Sequence, residues 1–214
     1  MSKTILRLVG VIVLLSPMVG LAQNRKATEA YYITKEEVDK VNSQPGVDRT
    51  IRVYDIGDQH FSVGIVHRGK SGASAPAPAA PAAAPAAPAA GTQPCGDMSG
   101  SLTFSGASGI AHDKQTEGYY IVSGAGTMIT GGTIMNGRTS APNSEVTTTL
   151  NGPSCSGRIG GTIQRRPVKP GDIVIIPAGV PHGWGDIPDH VDYLSFRPSA
   201  DTLTVGYEHP SLKK

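Results

Sequence analysis

The chain has 214 residues, 38% hydrophobic and 17% charged, which is enough for one sizeable core and too apolar for global disorder. Gly 27 and Pro 17 make up about a fifth of the chain and aromatics only 5%, which argues against a helical bundle and for sheets built on aliphatic residues. The formal charge of +2 comes from Lys3 and Arg7; beyond residue 22 basic and acidic side chains balance, so no strongly basic face is available for binding nucleic acid by counterion release.

Residues 1–22 read as an export signal. MSKTILR is a basic start, LVGVIVLLSPMVG is an apolar run broken by Pro17, and Gly20 with Ala22 supplies small residues before a cut near Gln23. An uncleaved anchor is the alternative. The run is short for a membrane span of about 20 apolar residues, and no later segment is apolar enough to cross a bilayer. The expectation is a periplasmic or secreted protein with no stable membrane insertion once the signal is removed.

Residues 23–47 form an N-terminal extension in which Thr34 and Glu37 have capping-box spacing and Pro45-Gly46 ends the pattern, predicting a short helix. RTIRVYDI and HFSVGIVHR flank Gly57-Asp58 and predict a β-hairpin. Residues 71–94 are dominated by Ala and Pro, and frequent proline blocks a continuous helix, so the segment reads as an exposed insertion. The strands before it are too few to bury a core alone, so one domain is expected over 48–200, with a tail at 201–214.

From Ser101 onward short strands alternate with glycine: SLTF, EGYYIVSG, GTMITGG, EVTTTL, GRIGGTIQ, GDIVIIPAG and HVDYLSFRP. This density of strands without helical patterns predicts an all-β sandwich or barrel. Within it, Asp172 to Ile176 reads as a buried strand. Cys95 and Cys155 both lie in Gly/Pro/Ser loops of an exported chain and are expected to form a disulfide; their spacing does not suit a redox or zinc site.

Two phrases carry chemistry. In VKPGDIVIIPAGVPHGW a strand and a Pro-Ala-Gly turn present His182, and in GIAHDKQTEGYYIVSGAG a turn separates His112 from Glu117. These phrases resemble the paired motifs of the cupin superfamily. Gly171, Pro177, Gly179 and His182 match the second motif at every spacing, with Asp186 in place of its closing Asn. His112, Glu117 and Gly124 match the later part of the first motif, but its first His is replaced by Ile110.

The resemblance covers roughly residues 100–200. It implies a cupin-type double-stranded β-helix or jelly-roll barrel with a short N-terminal helix, and one divalent transition ion at the barrel mouth held by His112, Glu117 and His182. Iron, manganese, zinc, nickel and copper all suit two imidazoles and a carboxylate. Gln115, Tyr120 and Trp184 are candidate pocket residues, and His67 is a candidate replacement for the missing ligand, whereas His190 and His209 read as bystanders. The implied partner is a small-molecule ligand or substrate, and a homodimer is compatible with the fold. The function implied is that of an oxygenase, isomerase or lyase. The alternative is a non-catalytic small-ligand or sugar-binding module that has lost its metal, for which Ile110 is the evidence.

Overall fold

The computed structural model describes residues 27–72, 89–199 and 202–213. The export signal read at 1–22 lies outside these residues, as does 73–88 of the Ala/Pro segment; Ser71 still belongs to a strand, and Pro94 begins the next one.

The chain enters through helix α1 (Lys35–Asn42), whose capping box is formed as predicted. Thr34 Oγ1 accepts from the Glu37 N–H at 3.2 Å, and the Thr34 N–H donates to Glu37 Oε2 at 2.9 Å. Val41 on its inner side packs against Ile51 and Ile65. The predicted hairpin is β1 (Asp48–Asp55) and β2 (His60–Ser71), paired antiparallel. Next come β3 (Pro94–Cys95), β4 (Phe104–His112), β5 (Glu117–Gly124) and β6 (Gly126–Thr139). The chain continues through β7 (Ser154–Val168), β8 (Ile173–Ile176), β9 (His182–Trp184) and β10 (Ile187–Ser199).

These strands make two five-stranded sheets, ordered β1-β2-β10-β5-β8 and β3-β6-β7-β4-β9, with β6 also pairing β9. Sheet membership interleaves along the chain: β2, β5, β8 and β10 fall in one sheet, β4, β6, β7 and β9 in the other. That order is the jelly roll, or double-stranded β-helix, and it is the cupin-type fold that the paired motifs imply. β2, which precedes the Ala/Pro segment, is hydrogen-bonded to β10, which follows it. The apolar core between the sheets is built mainly from Val66, Ile121, Met128, Val168, Ile187 and Val191.

The disulfide expected between Cys95 and Cys155 is present, with Cα atoms 6.0 Å apart and a sequence separation of 60. It ties short β3 to β7 where the chain returns to the barrel. In the chain-entropy account a loop of this size contributes about 4 kcal/mol.

Two sequence expectations are corrected. EVTTTL, read as a strand, is a π-helix over Val146–Leu150, closed by the Asn151 N–H on the Val146 carbonyl at 2.7 Å. Its β-branched residues make no strand pairing among the described residues, and Ser144, Thr147 and Thr148 turn their hydroxyls onto local backbone carbonyls instead. The apolar run read as a buried strand is β8, which pairs only with β5 at the sheet edge. Alternation therefore buries Ile176 while Ile173 and Ile175 stand 68% and 64% exposed.

Candidate metal centre

His112 ends β4, Glu117 begins β5, and His182 begins β9, so three strand ends meet at one mouth of the barrel. Close backbone contact brings them together. A Cβ on Gly109 would sit 2.2 Å from the His182 carbonyl oxygen, so β4 and β9 can approach as they do only with glycine there. Gly179, at φ +80°, supplies the left-handed turn before β9 and donates its N–H to the His112 carbonyl at 2.7 Å. The second motif's turn is thereby fastened directly to the first motif's histidine.

Glu117 Oε2 lies 3.1 Å from His112 Nε2 and 3.2 Å from His182 Nε2, and all three side chains are almost fully buried. The hydrogen-bond network sets the direction of each imidazole. His182 Nδ1 faces the Val180 carbonyl at 3.0 Å, which can only accept, so Nδ1 carries the proton. Ser154 donates its hydroxyl to the Gly152 carbonyl at 2.9 Å, so its oxygen accepts from His112 Nδ1 at 2.8 Å. In the neutral form of each ring Nε2 is then a lone pair. Two nitrogen lone pairs and a carboxylate oxygen face one another, an arrangement that calls for a cation between them. His112 Nε2 is buried with no hydrogen-bond partner among the described residues.

The carboxylate is held from behind. Arg197 Nε donates to Glu117 Oε1 at 2.6 Å, Ser195 Oγ donates to the same oxygen at 3.2 Å, and Tyr119 Oη donates to Oε2 at 2.6 Å. Arg197 reaches onward to the partly buried Asp48 at 2.6 Å, forming an acid–base–acid chain. Burial alone would raise the Glu117 carboxyl, but the Arg197 charge outweighs it and holds Glu117 well below the usual carboxylate range. Burial pushes His112 below the ordinary histidine value, partly offset by Glu117. Both shifts favour the forms that ligate metal, a carboxylate and a neutral imidazole.

The donor set fits a transition ion. Its three ligand atoms lie within 4.8 Å of one another, both imidazoles have their remote nitrogens anchored, and Oε2 keeps a lone pair beyond the one used by Tyr119. Ile110 occupies the first-histidine position, paired with His182 in register, and lines the cavity beside the triad.

That cavity measures about 610 Å³ and is also lined by Arg68, Tyr119, Trp184 and Tyr193. Of the predicted pocket residues, Trp184 lies along it. Tyr120 does not: alternation along β5 turns it outward, 42% exposed, and places Tyr119 at the cavity instead. Gln115 is buried behind the turn, next to Gly152, and is not part of the lining. His67 is on the outer face of β2, bound to Asp192 at 2.6 Å, and cannot replace the missing ligand. His190 contacts Asp189, and His209 contacts Ser211.

Sequence reasoning missed Arg197, Ser195 and Arg68. The signal for the first two was parity. In HVDYLSFRP, Ser195 and Arg197 share alternate positions with Val191 and Tyr193, so the strand's inward face becomes polar toward its end.

The sequence matches no family model and no curated protein. Among solved structures, the chain is similar to BH2720 from Bacillus halodurans, at 12% identity over 86% of this chain and 92% of that one, with a TM-score of 0.40. It is also similar to an uncharacterised conserved protein with a double-stranded β-helix domain from Klebsiella pneumoniae, at 14% identity over 84% and 100% of the two chains and a TM-score of 0.36. A third is recombinant oxalate oxidase in complex with glycolate, at 12% identity over 75% and 55% of the chains and a TM-score of 0.32. These likenesses are distant, and the fold is read from the strand order itself.

Proposed function

We propose that this chain is an exported metal-binding protein of cupin type that acts as an enzyme on a small molecule at the barrel mouth. The observation that carries the reading is the meeting of three buried acceptor atoms, His112 Nε2, His182 Nε2 and Glu117 Oε2, with both imidazoles oriented by their Nδ1 bonds. His112, Glu117 and His182 would hold one divalent ion. Three protein ligands leave coordination positions open toward the cavity, as a catalytic site requires. When bound, the ion supplies Lewis-acid polarisation of a substrate oxygen or, if redox-active, a platform for oxidation, so the reading covers oxygenase, isomerase and lyase chemistry. Arg197, Ser195 and Tyr119 hold the carboxylate in place, and Tyr119 and Trp184 form part of the wall that limits water. Export is supported by the basic-apolar-small pattern of residues 1–22, and the disulfide is compatible with an oxidising compartment.

A second reading, a ligand-binding module without metal, is favoured by Ile110 at the first-histidine position and by the Arg197 guanidinium on Glu117. Elemental analysis of protein purified from the exported fraction separates the two. The enzyme reading expects about one transition ion per chain; protein that stays metal-free after incubation with each of iron, manganese, zinc, nickel and copper ions supports the module.

A further inference from the structure

The cavity beside the triad has a second chemical pole. Arg68 on β2 lines it, and its one hydrogen bond among the described residues runs from Nε to Tyr193 Oη at 3.1 Å. The guanidinium makes no ion pair with any described carboxylate. Tyr193 Oη also accepts from Trp184 Nε1 at 3.4 Å, so two donors occupy its oxygen and its own proton has no acceptor among the described residues. Burial pushes the Tyr193 hydroxyl above its ordinary range, which keeps it a donor. Arg68 and Tyr193 thus present donors only, side by side, to a space that also touches the metal triad.

Charge points the same way. Arg197 lies between Asp48 and Glu117, so those three groups together carry one negative charge. A divalent ion reverses that sign, and Arg68 makes the cavity more positive still. A lone guanidinium with Asp48 in the same lining suits a singly charged head group better than a doubly charged phosphate.

Resting on the metal-centre reading above, we infer that the cavity takes a small carboxylic acid, its carboxylate on Arg68 and the Tyr193 hydroxyl and its other end toward His112, Glu117 and His182. Arg68 and Tyr193 are then substrate-binding residues that select acids over neutral molecules of the same shape.

The test is calorimetric titration of succinate, the neutral isostere succinamide and inorganic phosphate into metal-loaded and chelator-treated protein, alongside Arg68→Gln and Tyr193→Phe. Succinate should bind the loaded protein at least tenfold more tightly than succinamide or phosphate. Arg68→Gln should weaken succinate by about 10- to 100-fold while elemental analysis still finds the full complement of ion. Tyr193→Phe, which removes one neutral donor, should weaken it by about 3- to 10-fold. Equal binding of succinate and succinamide, tighter phosphate than succinate, an Arg68→Gln variant that binds succinate like the parent, or a parent that binds no succinate would each overturn the carboxylate site. Failure of the metal reading is seen separately, as a parent without ion. Succinate binding that depends on Arg68 in that metal-free protein would keep the anion pole, and its absence would remove it.

Discussion

The barrel carries two groups of histidines and carboxylates, one inside and one outside, and they behave differently. Inside, His112, His182 and Glu117 are 1–4% exposed at their side chains. Outside, on the opposite surface of the β2–β10 pair, His67 Nδ1 meets Asp192 Oδ1 at 2.6 Å with its side chain 48% exposed. Ser123 donates to Asp192 Oδ2 at 2.6 Å, and His190 turns its Nδ1 to Asp189 at 2.7 Å. In the outer group each donor has found an acceptor, so nothing is left for an ion to satisfy. In the inner group both Nδ1 atoms are spent on Ser154 and Val180, and the remaining acceptors face each other. Residue types are nearly the same; the direction of the imidazoles and the exclusion of water make the difference.

The largest contrast should appear in metal binding. His182→Ala is expected to abolish stoichiometric ion, and His190→Ala or His67→Ala to leave it unchanged, as measured by elemental analysis with circular dichroism confirming the fold. Equal loss from inner and outer variants would dissolve the distinction.

Stability should separate the groups next. Arg197→Met leaves the buried Glu117 and the partly buried Asp48 as uncompensated charges and is expected to cost about 3–5 kcal/mol in urea unfolding. Asp192→Asn, on the partly exposed group, should cost no more than about 1 kcal/mol. An Arg197→Met variant as stable as the parent would mean that the acid–base–acid chain is not closed.

The smallest contrast is in pH dependence, read on metal-free protein. Burial lowers His112 below its unfolded value of about 6.5. The unfolded chain then binds the proton first, so this contribution is complete above about pH 6.5 and falls away as the pH drops through the folded value. For Asp192, burial raises the carboxyl, but its bonds to Ser123 and His67 outweigh that and lower it overall. Its contribution is present above the unfolded value of about 3.9 and is lost only in stronger acid. His112→Gln should therefore flatten the stability profile just below about pH 6.5, and Asp192→Asn only below about pH 4. A profile unchanged by His112→Gln in that window would contradict the environment assigned to His112.

How much of this was legible in the sequence varied with the range of the interaction. The α1 capping box, the hairpin across Gly57-Asp58 and the spacing of Gly171, Pro177, Gly179 and His182 are local, because each depends on backbone geometry within a few residues. The disulfide followed from having two cysteines in Gly/Pro/Ser loops of a chain whose first residues read as an export signal. By contrast, whether β-branched VTTTL becomes a strand depends on a neighbour to pair with, and whether IVII is buried depends on whether its strand lies at a sheet edge.

The sequence by itself determined the all-β class and the strand-rich order, since strand periodicity and turn chemistry are written residue by residue, and its resemblance to the cupin motifs singled out the three side chains that converge. Only the tertiary structure decided that Tyr119 rather than Tyr120 faces the cavity, that His67 lies on the outer face, and that Arg197 and Arg68 point inward. Each of these depends on the face a strand turns to the core and on the register of β10 against β2 and β5, and such pairing joins residues more than sixty positions apart, beyond the reach of any local pattern.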